Sequence, residues 1–266
     1  DLAFVGPMTT ALCFAALALL DPAGDDVLPR RRCWPHAPLF YVLLGLTLLI
    51  TVPQLIHDAI GLWRYPIPLG AGQVRGSLIV ILYAVATAAF VYFLVRARLR
   101  RQLWLYLAFV MCAISSLAKG AGGILIPAAI VGGFMVARWE WRRLRLPGMP
   151  LALVGGAVGF IAVCFPWYHA MLVRHGLPFW NELLGDNHLK RMFTGRHGDK
   201  GSFDYFLREL GYGLFPWIAM TPLAVWFGLR RARARDPLGN LLAFGFVWAL
   251  GAWGVVAFMM TKFHHY

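Results

Sequence analysis

Charged side chains are scarce in this chain of 266 residues, and acidic side chains are the scarcest of them. Charged residues make up 14% of the chain, whereas they make up about 25% of a typical soluble domain. Hydrophobic residues make up 60%, against about 45–50% in such domains. These departures exclude an ordinary soluble domain, and the mean hydropathy of +0.64 indicates an integral membrane protein.

Cysteine is also rare, with four residues in the whole chain. Cys13, Cys112 and Cys164 lie inside long apolar runs, Cys33 lies in a basic loop, and no two cysteines form a CxxC motif. This pattern argues against a disulfide framework and against metal or redox sites built from paired cysteines.

The 12 acidic residues are outnumbered by 25 lysines and arginines, so the formal net charge is +13. A sequence pI near 10.2 is typical of many nucleic-acid-binding proteins. The basic residues, however, lie in short loops between apolar runs, and no RNA- or DNA-binding module surrounds them. We therefore interpret the charge as a topology signal and expect membrane lipids, but no nucleic acid, among the partners.

The long apolar runs predict about eight membrane spans, because about 20 mostly apolar residues cross the hydrocarbon layer. We expect them near residues 2–20, 38–55, 76–95, 103–118, 122–137, 150–173, 207–229 and 240–260. The fifth is short and directly follows the fourth, which favours a tight or tilted hairpin. Lipid offers no partners to open backbone groups, so the predicted fold class is all-α, a polytopic transmembrane helical bundle.

Four basic clusters orient this bundle. They follow the first, third, fifth and seventh spans, at residues 30–32, 96–101, 138–145 and 230–235. Lysine and arginine collect in cytoplasmic loops, so all four clusters are expected on the cytoplasmic side. The opposite side then receives Asp1 and the other loops, which mix acids, bases and imidazoles. We expect the chemistry on that outer face.

Lys119 lies between two apolar runs in "SSLAKGAGGILIPAA" and is followed by glycines. An ammonium group there can hold a lipid phosphate as a point charge. The alternative is a lysine that only extends its ammonium to the membrane boundary. The stretch is not a phosphate-binding P-loop, because the GxxxxGK[ST] spacing is missing.

The stretch "NELLGDNHLKRMFTGRHGDKGSFDYF" at 181–206 is the richest in polar groups and predicts a short amphipathic helix on the outer surface. An imidazole nitrogen of His188 could bind a divalent metal, and the fork of Arg191 could take a phosphate. The alternative for His188 is a solvated histidine in a basic loop.

The chain closes with "TKFHHY", in which Lys262 and Tyr266 lie four residues apart and share a face if the last helix continues. With His265 beside them they would suit a phosphate ester, or they are a boundary lysine and an interfacial tyrosine. We interpret two further segments, "FPWY" at 165–168 and "FPWI" at 215–218, as interfacial anchors.

Four segments together resemble successive motifs of a known family: "SSLAKGAGGILIP", "FPWYHAMLVRHGLPFW", "DNHLKRMFTGRHGDKGSFDYFLRELGYGLFPW" and "TKFHHY". They resemble the bacterial protein-mannosyltransferase-like glycosyltransferases. That group is related to the dolichyl-phosphate-mannose protein mannosyltransferases and to the aminoarabinose transferase that acts on lipid A. The resemblance implies a GT-C architecture in the inner membrane with a periplasmic active site. It also implies a polyprenyl-phosphate-linked sugar as donor and a protein, lipid or glycan as acceptor.

The resemblance also implies roles for individual residues. It makes Lys119 a ligand of the donor phosphate, and it matches His188 to a metal-associated histidine, with a divalent ion (Mg, Mn or Zn) left open. Arg191 matches a phosphate contact. Lys262 and Tyr266 match a closing element that faces the lipid phosphate, with His265 beside it.

Asp1 resembles an acid at the start of the span after the second outer loop, and it is the catalytic candidate in this chain. The principal catalytic acid of the family lies in the first outer loop, upstream of Asp1. We therefore expect residues 1–266 to be an internal piece of one transmembrane glycosyltransferase domain, without that loop or the C-terminal part, and inactive alone. In the implied inverting displacement, the missing acid would deprotonate the acceptor hydroxyl while cations stabilise the departing phosphate.

Two other functions remain open at this point. A membrane transporter or lipid-linked-glycan flippase would also use charged residues and kinked helices. Against it, the hydropathy shows no inverted repeat, and the distinctive polar residues fall at one face instead of the midplane. A polymerase or ligase of lipid-linked glycans has chemistry too close to exclude, and the sugar, acceptor and lipid length are not readable from the sequence.

Overall fold

A computed structural model describes residues 2–31, 34–69, 72–182, 208 and 211–258 of the chain. The chain forms two compact units. Unit 1 comprises residues 1–127 and 140–179, and unit 2 comprises residues 128–139 and 180–266. Long apolar helices dominate both units, so the prediction of an all-α transmembrane bundle is confirmed.

Unit 1 holds most of the long helices. Its α-helices are α1 (Leu2–Leu20), α2 (Pro38–Gly61), α3 (Ile79–Arg96), α4 (Arg100–Lys119), the first residues of α5 (Gly122–Arg138), α6 (Met149–His175) and the start of α7 (Leu177–Trp180). Three 3-10 turns connect them, at Pro22–Asp25, Gly76–Leu78 and Trp141–Arg145. Two antiparallel hairpins lie in the loops, β1 (Arg30–Arg31) with β2 (Trp34–Pro35) and β3 (Pro66–Leu69) with β4 (Gly72–Arg75).

Helix α4 is the centre of unit 1, with α1 and α6 packed against it and α3 packed on α6. In its most apolar stretch 67% of the residues are buried, compared with 22% in α2. Its fully buried side chains include Leu103, Tyr106 and Val110. Helix α4 is therefore shielded by its neighbours, while α2 presents most of its surface to lipid.

Glycines on α6 allow this close packing. An ideal Cβ on Gly156 would lie 2.2 Å from the ring of Phe109 on α4, and one on Gly159 would lie 2.5 Å from the ring of Phe90 on α3. Small residues let the backbones of membrane helices approach each other closely. This matters because helices in lipid associate mainly through van der Waals packing, without a hydrophobic driving force. Aromatic rings from both neighbours fill the space that these glycines leave.

Basic loops of unit 1 meet at one end of the helices. Arg30 donates a hydrogen bond to the carbonyl of Ala97 at 3.2 Å. Arg143 donates one to the carbonyl of Leu19 at 2.7 Å. Within unit 1, the basic clusters after α1, after α3 and after α5 therefore lie at the same end, as the charge pattern predicts.

Unit 2 contains the rest of α5, a 3-10 turn at Trp217–Met220, α8 (Thr221–Ala232) and α9 (Pro237–Phe258). The rings of Phe134 and Phe244 meet edge to face at 5.4 Å, so α5 packs on α9 in the core of this unit. At the end that carries the arginines of residues 230–235, Arg138 ties α5 to the turn between α8 and α9.

Six helices in the described part of the chain are long and apolar enough to span a membrane. The predicted fifth span is α5, whose 17 residues are short as expected. The predicted seventh span differs from the prediction, because residues 214–216 form a turn and the regular α-helix there is α8, with 12 residues. Pro216 has no amide hydrogen to donate and Gly213 weakens a helix, which explains the interruption.

Candidate functional site

Lys119 is the last residue of α4, at the end of unit 1 opposite the basic loops. Its ammonium nitrogen lies 5.6 Å from the centre of the Phe4 ring on α1. Gly120 follows with a φ of 80°, a left-handed conformation that glycine adopts without strain. We call residues 116–123 the Lys119 turn, because they connect the end of α4 to the start of α5.

The Lys119 turn is closed tightly by Gly123. An ideal Cβ on Gly123 would lie 2.3 Å from the backbone nitrogen of Ser116 and 2.6 Å from the backbone carbon of Ser115. Backbone atoms cannot rotate out of the way as side chains do. Only glycine therefore lets the start of α5 come this close to the last turns of α4.

Hydrogen bonds hold the same turn from two neighbouring helices. Tyr168 on α6 donates from its hydroxyl to the carbonyl of Ser116 at 2.6 Å, and the amide of Gly120 donates to that carbonyl at 2.7 Å. Ser115 donates from its hydroxyl to the carbonyl of Phe4 on α1 at 2.8 Å. Helices α1, α4 and α6 are thus joined where Lys119 leaves α4.

The "FPWY" segment, one of the two segments interpreted as interfacial anchors, carries two side chains in different surroundings. Trp167 is exposed, as an anchor would be, but Tyr168 faces α4 and is partly buried. Neighbouring residues on a helix point in directions about 100° apart, so one motif can serve both lipid and core.

A second polar group, the outer carboxylate cluster, lies at the same end of unit 1 and consists of His57, Asp58, Tyr83, His169 and Arg174. Asp58 on α2 is 4% exposed, and its Oδ1 lies 3.4 Å from Nδ1 of His57. Its Oδ2 is buried and has no hydrogen-bond partner among the described residues. The Tyr83 hydroxyl on α3 lies 3.0 Å from Nδ1 of His169 on α6.

Arg174 supplies the positive charge of this cluster. An ideal Cβ on Gly61 would lie 3.0 Å from its Nη2, and its guanidinium lies 5.9 Å from the centre of the Tyr65 ring. It is near enough to Asp58 for the two charges to attract each other. Ionisable groups inside membrane helices are costly, so a buried acid among histidines and an arginine marks a functional or positioning site.

The sequence reasoning missed the outer carboxylate cluster for a specific reason. The predicted second span ends at residue 55, which leaves Asp58 in a loop, whereas α2 continues to Gly61. An acid within an otherwise apolar helix was the available signal. The pairing of Tyr83 with His169 joins residues 86 positions apart, and nothing local in the sequence indicates it.

Among the residues predicted for the site, Lys119 is placed by the structure at the C-terminal end of α4, opposite the basic loops of unit 1. The others lie outside the described residues: Asp1, His188, Arg191, Lys262, His265 and Tyr266. Whether they gather around Lys119 stays a prediction. In the part of the chain that is described, no three histidine, cysteine or acidic side chains form a group that could hold a metal.

Comparison with known proteins gives several relatives that share one name, although no protein-family model matches. An undecaprenyl phosphate-alpha-4-amino-4-deoxy-L-arabinose arabinosyl transferase of Edwardsiella ictaluri is 28% identical over 149 residues, which are 56% of this chain and 24% of that protein. The transferase of the same name from Yersinia enterocolitica is 26% identical over 164 residues, 61% of this chain and 28% of its own length. The aligned region is thus about a quarter of these relatives.

Solved structures agree at the level of the fold. The crystal structure of ArnT from Cupriavidus metallidurans bound to undecaprenyl phosphate superposes with a TM-score of 0.54, covering 99% of this chain and 42% of that chain at 20% identity. The apo structure of the same protein superposes with a TM-score of 0.50. The chain therefore has a GT-C-like transmembrane fold, and its sequence is similar to the aminoarabinose transferases, as its motifs predict.

Proposed function

We propose that this chain is part of an integral membrane glycosyltransferase of the inner membrane. The enzyme would transfer a sugar from a polyprenyl-phosphate-linked donor to a protein, lipid or glycan acceptor on the periplasmic face. The names of the curated relatives support a sugar transferase, and the structural comparison supports a GT-C-like transmembrane fold. The observation that carries the proposal in this chain is the rigid Lys119 turn at the outer end of a packed helix.

The Lys119 turn suits a phosphate for physical reasons. Its lysine is a compact cation at the end of an apolar helix, where a lipid-linked phosphate would lie at the membrane boundary. Contacts through Tyr168 and Gly123 hold the surrounding backbone before any ligand arrives. A cation carried by a preorganised backbone loses less freedom on binding a phosphate than one on a mobile segment.

The remaining residues of the proposed site would complete a pocket around Lys119. Arg191, Lys262, His265 and Tyr266 would line it with donors for the same phosphate, and Asp1 would stand near the reacting sugar as the acidic group. The general base that takes the acceptor proton would come from an upstream outer loop, as the family resemblance implies. Such a base typically contributes about 10²–10⁴-fold to the rate.

A divalent ion at His188 is the further part of this proposal. A neutral imidazole nitrogen is a good ligand for zinc or manganese, and carboxylate and water ligands would complete a site for magnesium. The test is to strip the full-length protein with a chelator and then to add Mg, Mn or Zn separately. Metal content per protein, measured in wild type and in His188→Ala, should fall by one equivalent in the variant. Equal metal content in both would contradict a site at His188.

A transporter or lipid-linked-glycan flippase is the other function that the sequence left open. The curated relatives are named as transferases, which favours the enzyme. The described polar clusters of unit 1 also lie at the outer ends of its helices, not at the midplane where transporters place their substrate sites.

The test of the proposed function uses the full-length protein in membranes with a radiolabelled undecaprenyl-phosphate sugar. We expect wild type to consume the donor, and Lys119→Ala, His188→Ala and Tyr266→Phe to consume it much more slowly at equal protein level. Arg98→Ala is the matched control, because Arg98 is an exposed cation at the opposite end of unit 1. Absence of consumption of several donors by wild type would overturn the transferase and turn attention to transport.

A further inference from the structure

Unit 2 contains an open cavity at the end that carries residues 230–235. Its volume is about 280 Å³, and it is lined by Arg138, Leu229, Ala232, Arg233, Ala243 and Phe246. By the positive-inside rule we expect this basic end of unit 2 on the cytoplasmic side of the membrane. Nothing in the proposed transferase chemistry uses this cavity.

Arg138 lines the cavity, and its guanidinium donors are engaged in hydrogen bonds within unit 2. Its guanidinium donates to the carbonyls of Ala232 and Ala234 at 2.8 and 2.7 Å, and its Nε donates to the side-chain oxygen of Asn240 at 3.1 Å. These bonds clamp the turn between α8 and α9 onto the end of α5. The cavity is therefore a fixed feature of unit 2, and Arg138 itself is not available to a ligand.

The arginines around the cavity differ in what they contact. Arg231 pairs with Asp236, and the guanidinium of Arg230 lies 4.2 Å from the centre of the Trp226 ring. Arg233 is exposed and lines the cavity, and its guanidinium makes no hydrogen bond or ion pair with any residue that the structure describes. An unneutralised cation thus stands at the rim of a preformed cavity.

The cavity is polar at its rim and apolar at its floor. Leu229 lines the cavity from α8, and Ala243 and Phe246 line it from α9. Phe246 lies about two and a half turns from the start of α9, in the direction of the hydrocarbon layer. Beside them α8 exposes large apolar side chains such as Trp226 and Phe227. A ligand that fits has an anionic group at the membrane surface and an apolar chain below it.

We propose that this cavity binds the headgroup phosphate of an anionic phospholipid of the cytoplasmic leaflet, with Arg233 as its charge partner and an acyl chain over Leu229 and Phe246. The charge complementarity selects a lipid with a net negative charge over a zwitterionic one. Basic pockets between membrane helices on the cytoplasmic side are suited to anionic headgroups, since the negative leaflet concentrates such lipids there. The proposal does not depend on the proposed enzymatic activity.

Native mass spectrometry of the full-length protein, titrated with phosphatidylglycerol or with phosphatidylcholine, tests the proposal. We expect wild type to retain phosphatidylglycerol in preference to phosphatidylcholine, and Arg233→Gln to weaken that binding about fivefold, as loss of one surface cation should. Arg235→Gln is the matched control, because Arg235 is exposed in the same turn but does not line the cavity. It should weaken binding clearly less than Arg233→Gln.

A second variant separates the cavity from general surface charge. Ala243→Leu fills the floor without changing any charge, so it should also reduce phosphatidylglycerol binding. Inorganic phosphate added in excess should not displace the lipid if the acyl chain contributes. Equal effects of Arg233→Gln and Arg235→Gln, or an unchanged affinity in Ala243→Leu, would overturn the proposed site.

Discussion

Gly123 offers the sharpest test of how the Lys119 turn is built. In Gly123→Ala the added Cβ would meet the Ser116 nitrogen at 2.3 Å, whereas carbon atoms in good contact are about 3.5–4.0 Å apart. The start of α5 would have to move by more than about 1 Å, since the obstructing atoms belong to the backbone. Overpacking of this kind typically costs about 1–3 kcal/mol.

Gly122→Ala is the matched control at the neighbouring position. A Cβ on Gly122 would lie 3.5 Å from the Phe4 ring, which is an ordinary contact. Both substitutions lie in the first turn of α5 and gain similarly from the better helix propensity of alanine, at most about 1 kcal/mol. The difference between the two variants therefore isolates the steric term, and we expect Gly123→Ala to be less stable by about 1–3 kcal/mol.

The measurement is reversible denaturation of each variant in detergent micelles, followed by donor consumption at several donor concentrations. We expect Gly122→Ala to behave like wild type in both assays. Gly123→Ala should unfold more easily and should need more donor for half-maximal consumption, because the displaced turn carries Lys119. Equal stability of the two variants would refute the close approach of α5 to Ser116.

Two further predictions concern single hydrogen-bonding groups. Tyr168→Phe removes the bond to the Ser116 carbonyl, so it should lower the free energy of unfolding by about 0.5–1.5 kcal/mol and raise the donor KM more than it lowers kcat, as steady-state kinetics can show. The bonds from the Arg231 side chain and the Gly239 amide lower the pKa of Asp236 below its usual 3.8. The ionised Asp236 carboxylate therefore stabilises the folded protein above pH 3.8, and this contribution disappears as the pH falls through the lowered pKa. Thermal unfolding should accordingly show Asp236→Asn less stable than wild type at neutral pH, with a gap that narrows in acid; a gap independent of pH would contradict the pairing.

The prediction of membrane helices succeeded because the hydrocarbon layer restricts the chain so strongly. A backbone group without a hydrogen-bond partner is costly in lipid, so a long apolar run can hardly be anything but a helix. Spans predicted at 2–20, 76–95 and 150–173 accordingly agree closely with α1, α3 and α6. The span predicted at 207–229 differs in its described part, where glycine and proline interrupt an apolar run that hydropathy alone treats as continuous.

The outer carboxylate cluster shows the limit of reasoning from local pattern. Asp58 lowers the local hydropathy, so the span predicted from hydropathy ends at residue 55, whereas α2 continues to Gly61. In the structure, His169 and Arg174 of α6 lie near this carboxylate, as does Tyr83 of α3, so α2 can continue past the acid to Gly61. His57 is adjacent in the chain, but the rest of the environment of Asp58 comes from distant residues, so no window of the sequence contains all of it.

Composition, apolar run length and the spacing of basic clusters by themselves determined that this protein is a multi-pass helical bundle, and the order of its motifs indicated the transferase resemblance. Each of these depends on local interactions with lipid and water, which a sequence displays directly. Only the tertiary structure decided that Tyr168 and Gly123 hold the Lys119 turn, that Asp58 is buried, and that Arg233, which pairs with none of the residues that the structure describes, lies at a cavity. These features arise where distant helices pack, and the packing depends on shape and on hydrogen bonds between residues that the sequence keeps apart.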